Sequence, residues 1–436
     1  MSRRRVPELL RDRAFRRYWT GQTVSLVGDQ ISLIAIPLAA VLILGADAAE
    51  MGLLKTAELL PALLLNLPAG AWADRRPHRR YVMIATDLAR AALLVSLPVA
   101  YAFDSLTLIQ LYLVAFSIGA LTVLFDVCNV TLLVSLLPTT RYVEGNALVN
   151  GSRSMSGLAG PGAGGVLVQV LGAPLALLAD AFTYLISADR LRRIDPVEPP
   201  PAPREKGHFT AGIKWVVRDR AMRAMFGASA TVQYFNFMFH TLFLLYATQE
   251  LGLSAGLFGA MLSAAAVGGL LGAVCSGVVV RRIGIGPSIT AGFAVFTLPL
   301  MLVPLASDPS PVVVGLLFVA EFVSNFGVML VDISGGSLQL ALVPDQLRSR
   351  VLGALRTLTH GFRPLGAITA GFLGSTIGLR PTLWIGTAGA VLSVFWVLFS
   401  PISRMRDLPP PRHVVPTDPT DPTDEAVGEA AGEVVR

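Results

Sequence analysis

Residues 70–80, GAWADRRPHRR, join the end of a long apolar run to a dense basic turn. Gly70 and Ala71 are small enough to allow close helix contact. Asp74 places an acid at the edge of the apolar run, and four arginines follow it. Basic residues in such turns are retained in the cytoplasm when a helix inserts. The stretch therefore predicts a helix that leaves a membrane on its cytoplasmic side.

The composition supports this interpretation. The chain has 436 residues, of which 53% are hydrophobic and only 15% are charged, whereas a soluble domain carries about 25% charged residues. A spanning helix needs about 20 apolar residues, so the length allows roughly twelve spans. The arginines fall in short turns, which argues against a nucleic-acid partner. Cys128 and Cys275 both lie in apolar runs, so we expect no disulfide, metal site or cofactor.

The apolar runs predict an all-α membrane protein with twelve transmembrane helices in two six-helix pseudo-repeat bundles. The predicted spans are 19–45, 50–73, 81–103, 107–137, 146–171, 173–191, 223–249, 255–280, 286–307, 311–343, 347–377 and 380–402. Residues 1–18 form a basic, amphipathic cytoplasmic segment suited to the membrane surface. The two bundles, 19–191 and 223–402, are joined by a cytoplasmic linker, 192–222, with a candidate interfacial helix. A disordered cytoplasmic tail, 403–436, follows.

Charge placement predicts the orientation. Alternate turns are basic, and the turns between them lack Arg and Lys except at Arg380. Both termini are therefore expected in the cytoplasm of the cell inner (plasma) membrane. Internal spacing predicts the repeat: Asp126 and Pro138 are spaced as Asp332 and Pro344 are. Parallel repeats of this kind occur in secondary transporters.

Ionisable residues inside the spans are candidate functional groups, because a charge at that depth is costly unless it faces a cavity or a partner. Gln22, Ser25, Asp29 and Ser32 form one polar stripe on span one. Asp29 lies about 15 Å into its helix and is the first candidate for proton coupling, followed by Glu58 and Asp126. A fixed structural acid is the alternative for Asp29.

Other intramembrane polar groups are candidates for a substrate cavity. They are Gln22, Ser25, Gln233, Asn236, His240, Glu321, Asn325 and Arg363. Similar depth predicts two ion pairs, Asp126–Arg153 and Asp332–Arg356, one in each half. These pairs either take part in gating or only make buried charge tolerable. Asp87 and Arg90 lie one helical step apart and either pair with each other or extend a charge network.

The turn at 70–80 resembles the loop between helices two and three of the major facilitator superfamily, G-x-x-x-D-R-x-G-R-K/R. Gly70, Asp74, Arg75, Arg79 and Arg80 match, and Pro77 replaces the second glycine. The resemblance implies a gating role for these residues, with Asp74 as a latch to the other half. Gly160 and Pro161 resemble the Gly-Pro pattern of fifth helices in drug antiporters, with ordinary small-residue packing as the alternative.

The resemblance is closest to the branch that holds siderophore exporters and macrolide efflux proteins. Its further motifs are RRYW at 16–19, Ser25-x-x-Gly28-Asp29, Glu58-x-x-Pro61 and Asp87-x-x-Arg90. It implies a transporter that exports a small, partly apolar molecule in exchange for protons. We expect a monomer in the lipid bilayer, and no enzyme, because the sequence contains no phosphate loop, metal-ligand cluster or nucleophile elbow. Import of a metabolite by proton symport and a non-transporting sensor are the alternatives.

Overall fold

A computed structural model describes residues 8–73, 78–196, 216–344 and 348–408. Twelve α-helices lie in these ranges, and we number them in chain order. They are α1 Arg13–Leu42, α2 Ala48–Ala73, α3 Arg79–Ala102, α4 Leu108–Leu136, α5 Tyr142–Leu171, α6 Ala173–Arg192, α7 Arg220–Gln249, α8 Ala255–Ile283, α9 Ile285–Thr297, α10 Pro311–Leu342, α11 Arg348–Ile377 and α12 Leu379–Leu398. The described residues are thus all-helical, as the sequence predicts, and contain no strand.

Short polar side chains fix several helix starts. Asp12 accepts a hydrogen bond from the backbone N–H of Phe15 at 2.7 Å. At the starts of α4 and α10, the hydroxyls of Thr107 and Ser310 each accept a hydrogen bond from the backbone N–H three residues later in the chain. Such caps satisfy backbone donors that have no partner within the helix. Helices α4 and α10 therefore begin within a few residues of the predicted spans, whereas α1 begins at Arg13, ahead of the predicted start at 19.

The ninth predicted span is the clearest difference in local structure. The α-helix ends at Thr297, and a 3₁₀ segment, Pro299–Leu305, carries the chain onward. Pro299 and Pro304 lack a backbone N–H and so interrupt the regular helical hydrogen bonds. Hydropathy does not show this break, because both parts are apolar.

Seven segments of the described chain are long and apolar enough to cross a membrane. They are α1, α3, α4, α8, α9 with its 3₁₀ extension, α10 and α12. The other long helices carry more polar or charged residues, as in α11 with Arg356, His360 and Arg363. Hydropathy alone therefore identifies only part of the helical set.

Helix packing repeats between the first half, α1–α6, and the second half, α7–α12. In the first half α1 packs on α5 and α6, α2 on α4, and α3 on α4 and α6. In the second half α7 packs on α11 and α12, α8 on α10, and α9 on α10 and α12. The halves meet where α5 packs on α8 and α2 packs on α11. The two halves therefore share the Asp–Pro spacing in the sequence and the same pattern of helix packing.

Contacts between the halves concentrate at one end of the molecule. We call the end at which α2 begins and α11 ends the closed end, and the end at which α1 begins and α12 ends the terminal end. At the closed end, a buried apolar cluster contains residues of both halves, among them Leu38 and Phe243. Two further clusters each belong to one half, and Phe15 and Met225 are members of them. The described helices are therefore joined at the closed end and form separate cores toward the terminal end.

Glycines permit the close approach at the closed end. A Cβ on Gly52 of α2 would lie 2.6 Å from Cα of Gly371 in α11. A Cβ on Gly165 of α5 would lie 3.0 Å from Cα of Gly259 in α8. Side chains at these positions would force the helices apart.

The N-terminal region differs from the prediction of a surface segment over 1–18. Residues 8–11 form a 3₁₀ turn, and α1 begins at Arg13. Phe15 and Tyr18 are fully buried, and the Tyr18 hydroxyl donates to Asn129 at 2.7 Å. Burial of these aromatic rings within the first half removes their apolar surface from water.

Candidate functional site

A cavity of about 290 Å³ lies in the second half between α7, α9, α10 and α11. Five of the predicted cavity residues line it: Gln233, Asn236, His240, Asn325 and Arg363. Phe237, Phe293 and Phe296 contribute apolar wall, and Asp332 adds a carboxylate. Apolar walls with a few convergent polar groups are typical of small-molecule sites.

Arg363 is the central charged group of this cavity. Its guanidinium lies over the ring of Phe237, 4.8 Å from the centroid. With the Gln233 amide oxygen turned toward it, the guanidinium donates from Nε at 3.2 Å and from Nη2 at 2.7 Å. Arg363 also acts electrostatically on Asp332. The ring of Phe237 and the amide of Gln233 therefore hold the guanidinium in place beside the cavity. Its N–H groups can donate hydrogen bonds to an acceptor group of a ligand.

Glu321 lies one helical turn before the cavity on α10. It is buried, with 1% of its surface exposed, and the Asn325 amide donates to its backbone oxygen at 3.1 Å. Its Oε1 has no hydrogen-bond partner among the described residues. Glu321 therefore supports Asn325 from behind rather than lining the cavity itself.

A second polar cluster lies in the first half and contains Asp29. The Tyr184 hydroxyl of α6 donates to Asp29 at 2.6 Å. Arg90 of α3 forms an ion pair with Asp87 and stacks on the ring of Tyr184, 4.4 Å from the centroid. Arg90 also acts electrostatically on Asp29. The Asp87–Arg90 pair predicted from helical spacing is therefore present, and it extends into a network around Asp29.

Asp180 of α6 belongs to this cluster and is absent from the sequence-based candidates. It is fully buried. The Ser32 hydroxyl donates to one carboxylate oxygen, and the Thr183 hydroxyl donates to the other at 3.0 Å. The available signal is simple: Asp180 is the one acid in the apolar run 173–187, and it shares a helix face with Tyr184.

The remaining polar residues of α1 and α2 do not line the second-half cavity. Gln22 and Ser25 are buried inside the first half, and Gln22 Nε2 has no hydrogen-bond partner in the described chain. Glu58 forms an ion pair with Lys55 at 2.9 Å, one turn away on α2. Glu58 is thus already matched with a cation in this conformation.

Both predicted Asp–Arg ion pairs are wrong for this conformation. Within the described residues, neither Asp126–Arg153 nor Asp332–Arg356 comes within the 4.0 Å of an ion pair, and all four side chains are exposed. Asp126 instead experiences the charge of Arg153 and, from the other half, of Arg356. Similar depth along two helices does not fix how far apart the facing sides of these helices lie.

The turn at 70–80 is described in part. Asp74 and Arg75 lie outside the described residues. Arg79 is buried and donates from Nε to the backbone oxygen of Ala73 at 3.1 Å. Arg80 reaches Asp195 at 3.5 Å, beyond the end of α6. A Cβ on Gly70 would meet no atom of the described residues within 4 Å, so close packing against those residues does not require glycine there.

Gly160 and Pro161 lie where α5 meets its neighbours. A Cβ on Gly160 would lie 2.6 Å from the side chain of Gln30 in α1. The Pro161 backbone oxygen lies against Gly259 of α8, and the next backbone N–H, of Gly162, donates to Ser263 at 2.9 Å. These contacts fit the small-residue packing alternative and also place Pro161 at the junction of the two halves.

Apolar helices with a cavity in one half and a buried charge cluster in the other are features found in membrane transporters. The sequence profile of the Major Facilitator Superfamily matches residues 18–359 and 225–428. The chain belongs to this superfamily, whose members are transporters rather than enzymes.

Curated relatives match most of the chain. The chain is 28% identical over 404 residues to the multidrug efflux pump Tap of Mycobacterium tuberculosis, covering 89% of this chain and 93% of that protein. It is 28% identical over 396 residues to Tap of Mycolicibacterium fortuitum, covering 87% and 94%.

Two solved structures share the fold. A bacterial homologue of the iron transporter ferroportin, in an inward-facing state, has a TM-score of 0.74 at 16% identity, covering 90% of this chain and 98% of that one. The nucleoside transporter NupG has a TM-score of 0.72 at 15% identity, covering 88% and 98%. At these identities the likeness concerns the fold alone.

Proposed function

We propose that the protein is a secondary active transporter that exports a small, partly hydrophobic molecule, such as a drug, a natural product or a siderophore. The observation that carries the proposal is similarity to a multidrug efflux pump over 89% of the chain. The cavity is compatible with such a substrate, because aromatic walls surround few polar groups. Arg363 and Asp332 offer one charge of each sign to a ligand.

In this proposal the twelve helices are membrane spans in two six-helix bundles, with both termini in the cytoplasm of the inner membrane. The basic turns support that orientation. The terminal end then faces the cytoplasm and the closed end faces outward. Alternating access opens the closed end and joins the halves at the terminal end.

Proton antiport is the proposed energy source, with Asp29 as the coupling group. Asp29, Asp87 and Asp180 lie around one buried arginine, Arg90, and the exposed Arg153 also acts electrostatically on Asp29. Three buried carboxylates around one buried cation make a site in which proton binding relieves uncompensated charge. Loss or gain of a proton there changes the hydrogen bonds that link α1, α3 and α6.

The test uses inverted membrane vesicles with an imposed proton gradient. Macrolides, dyes and siderophores are added in turn, and proton release is followed with a pH-sensitive fluorophore. The wild type should release protons with at least one compound, and Asp29→Asn should not. Asp189→Asn is the matched control, because Asp189 is an exposed acid paired with Arg193 at the end of α6.

Each alternative gives its own result. Accumulation of a labelled metabolite in whole cells, driven by external acid, would favour import by proton symport. A protein that moves no compound in either direction would favour a non-transporting sensor. Proton release that is unchanged in Asp29→Asn would move the coupling role to Glu58 or Asp126.

A further inference from the structure

A groove at the terminal end lies between the start of α7 and the end of α12. Its volume is about 380 Å³, and its lining joins two arginines, Arg220 and Arg223, to an aromatic and aliphatic wall. That wall consists of Leu392, Phe395, Trp396 and Phe399. No residue of the groove belongs to the candidate substrate cavity.

The wall lies on the outer surface of the molecule. Phe399 exposes 81% of its surface and Leu392 exposes 51%. The indole of Trp396 lies against Gly227 of α7, where a Cβ would come 2.6 Å from the ring, and its Nε1 donates to Thr231 at 3.1 Å. The missing side chain at Gly227 thus lets Trp396 lie flat on α7 and form one wall of the groove.

The two arginines supply positive charge at the mouth of the groove. Within the described residues neither guanidinium is paired with a carboxylate, and both side chains are exposed. Arg223 donates to the backbone oxygen of Val217 at 3.3 Å. The nearby carboxylate of Asp219 is engaged by the backbone N–H groups of Ala221 and Met222. Donors of both guanidinium groups therefore remain for a ligand.

We propose that this groove binds an anionic phospholipid, with the phosphate at Arg220 and Arg223 and the acyl chains along α12. Guanidinium groups match phosphate oxygens in geometry and charge. Basic pockets between helices near the cytoplasmic surface are suited to acidic headgroups. Aromatic residues at this level fit the boundary between headgroups and hydrocarbon. A soluble phosphate would leave the exposed apolar wall unused.

Trp396 provides the readout. The purified protein is placed in nanodiscs that contain brominated phosphatidylglycerol or brominated phosphatidylcholine, and bromine quenches nearby tryptophan. The chain has 5 tryptophans, so the Trp396→Phe variant is measured in parallel and subtracted. We expect half-maximal quenching at an about tenfold lower mole fraction of the anionic lipid.

Two double variants test the arginines. Arg220→Gln/Arg223→Gln should abolish the preference while leaving quenching by phosphatidylcholine unchanged, which also shows that the variant is folded. Arg281→Gln/Arg282→Gln removes two exposed arginines from the terminal end of α8 and should keep the preference. Equal quenching by both lipids in the wild type would overturn the proposal, as would the same loss in the control variant. Inorganic phosphate that abolishes the preference would assign the site to a soluble anion and also overturn it.

Discussion

The contact between Gly52 and Gly371 predicts how a single methyl group shifts the conformational equilibrium. In Gly52→Ala, the new Cβ would lie 2.6 Å from Cα of Gly371 and 2.9 Å from the backbone oxygen of Ala367. Carbon atoms at optimal contact are about 3.5–4.0 Å apart, so α2 and α11 must separate by about 1 Å. The contacting atoms belong to the backbone, so no side-chain rotation relieves the clash.

The expected magnitude follows from the clash alone. Overpacking of a well-packed contact costs about 1–3 kcal/mol. The helix-propensity gain of alanine over glycine, about 0.5–1 kcal/mol, cancels, because residue 52 is helical in both conformations. The closed end should therefore lose about 1–3 kcal/mol relative to a state in which α2 and α11 part there. A difference of about 1.4 kcal/mol changes an equilibrium tenfold, so that state should become about ten times more populated.

A buried thiol at the closed end reports this shift. Thr56 is 8% exposed and lies one turn from Gly52, with its hydroxyl 3.5 Å from the backbone oxygen of Pro364. Thr56→Cys, in a chain with Cys128→Ser and Cys275→Ser, is labelled with a maleimide in detergent. Adding Gly52→Ala should raise the labelling rate about tenfold.

Gly353→Ala is the matched control. It makes the same exchange in α11, where a Cβ would meet no atom of the described residues within 4 Å, and it should leave the labelling rate unchanged. A rate that does not change with Gly52→Ala would refute the reasoning. An equal increase in both variants would show that helix propensity, not the contact, sets the equilibrium.

Three further predictions concern charged groups. Arg363→Gln should raise the KM for an exported substrate about tenfold or more, because a hydrogen bond to a charged group contributes about 1.5–3 kcal/mol. Transport into vesicles measures the KM, and an unchanged KM would exclude Arg363 from substrate binding. Asp180→Ala should lower the free energy of unfolding by about 1–3 kcal/mol, because it leaves the Ser32 hydroxyl without an acceptor. Asp180→Asn should lower it by less. Equal decreases in the thermal unfolding temperature of the two variants would contradict this. Asp126→Arg should stop transport, because the new arginine repels Arg356, and the double variant Asp126→Arg/Arg356→Asp should transport again. A double variant that remains inactive would refute a contact between these two residues during the transport cycle.

Much of the fold can be predicted from the sequence because its signals are local. Apolar runs set the helices, and residues such as Asp12 and Ser310 mark their starts. Equal spacing of Asp126–Pro138 and Asp332–Pro344 reflects the repeated packing of the two halves. The break after Thr297 is the exception, although Pro299 and Pro304 were visible signals for it.

The candidate sites were harder to predict, since they depend on how helices rotate and how far apart they stand. Polar spacing on α7 places Gln233, Asn236 and His240 on one face, and all three side chains line the same cavity. It did not show that Asp332 would lie in the field of Arg363 rather than beside Arg356. Asp180 has no place in a polar stripe, because it is a single acid in an otherwise apolar helix, so helical spacing does not mark it as a candidate.

The two polar sites lie in different halves, so coupling them requires contact across the interface. Two electrostatic links are present among the described residues. Toward the closed end, Lys55 of α2 acts on His240 of the cavity. Toward the terminal end, Arg356 of α11 acts on Asp126, which also experiences Asp29 and Arg90 of the buried cluster.

The transport cycle would change the strengths of these two electrostatic links in opposite directions. The halves are packed together around Lys55 and His240, so opening the closed end must weaken that link. They form separate cores around Asp126 and Arg356, so closing the terminal end must strengthen the second link. In the mechanism that we propose, the charge of Asp126 would act on the open-to-closed equilibrium at the terminal end, and the protonation of the Asp29 cluster would act on Asp126. In the proposed mechanism, this route connects proton binding in the first half to access in the second without requiring the proton and the substrate to share one site.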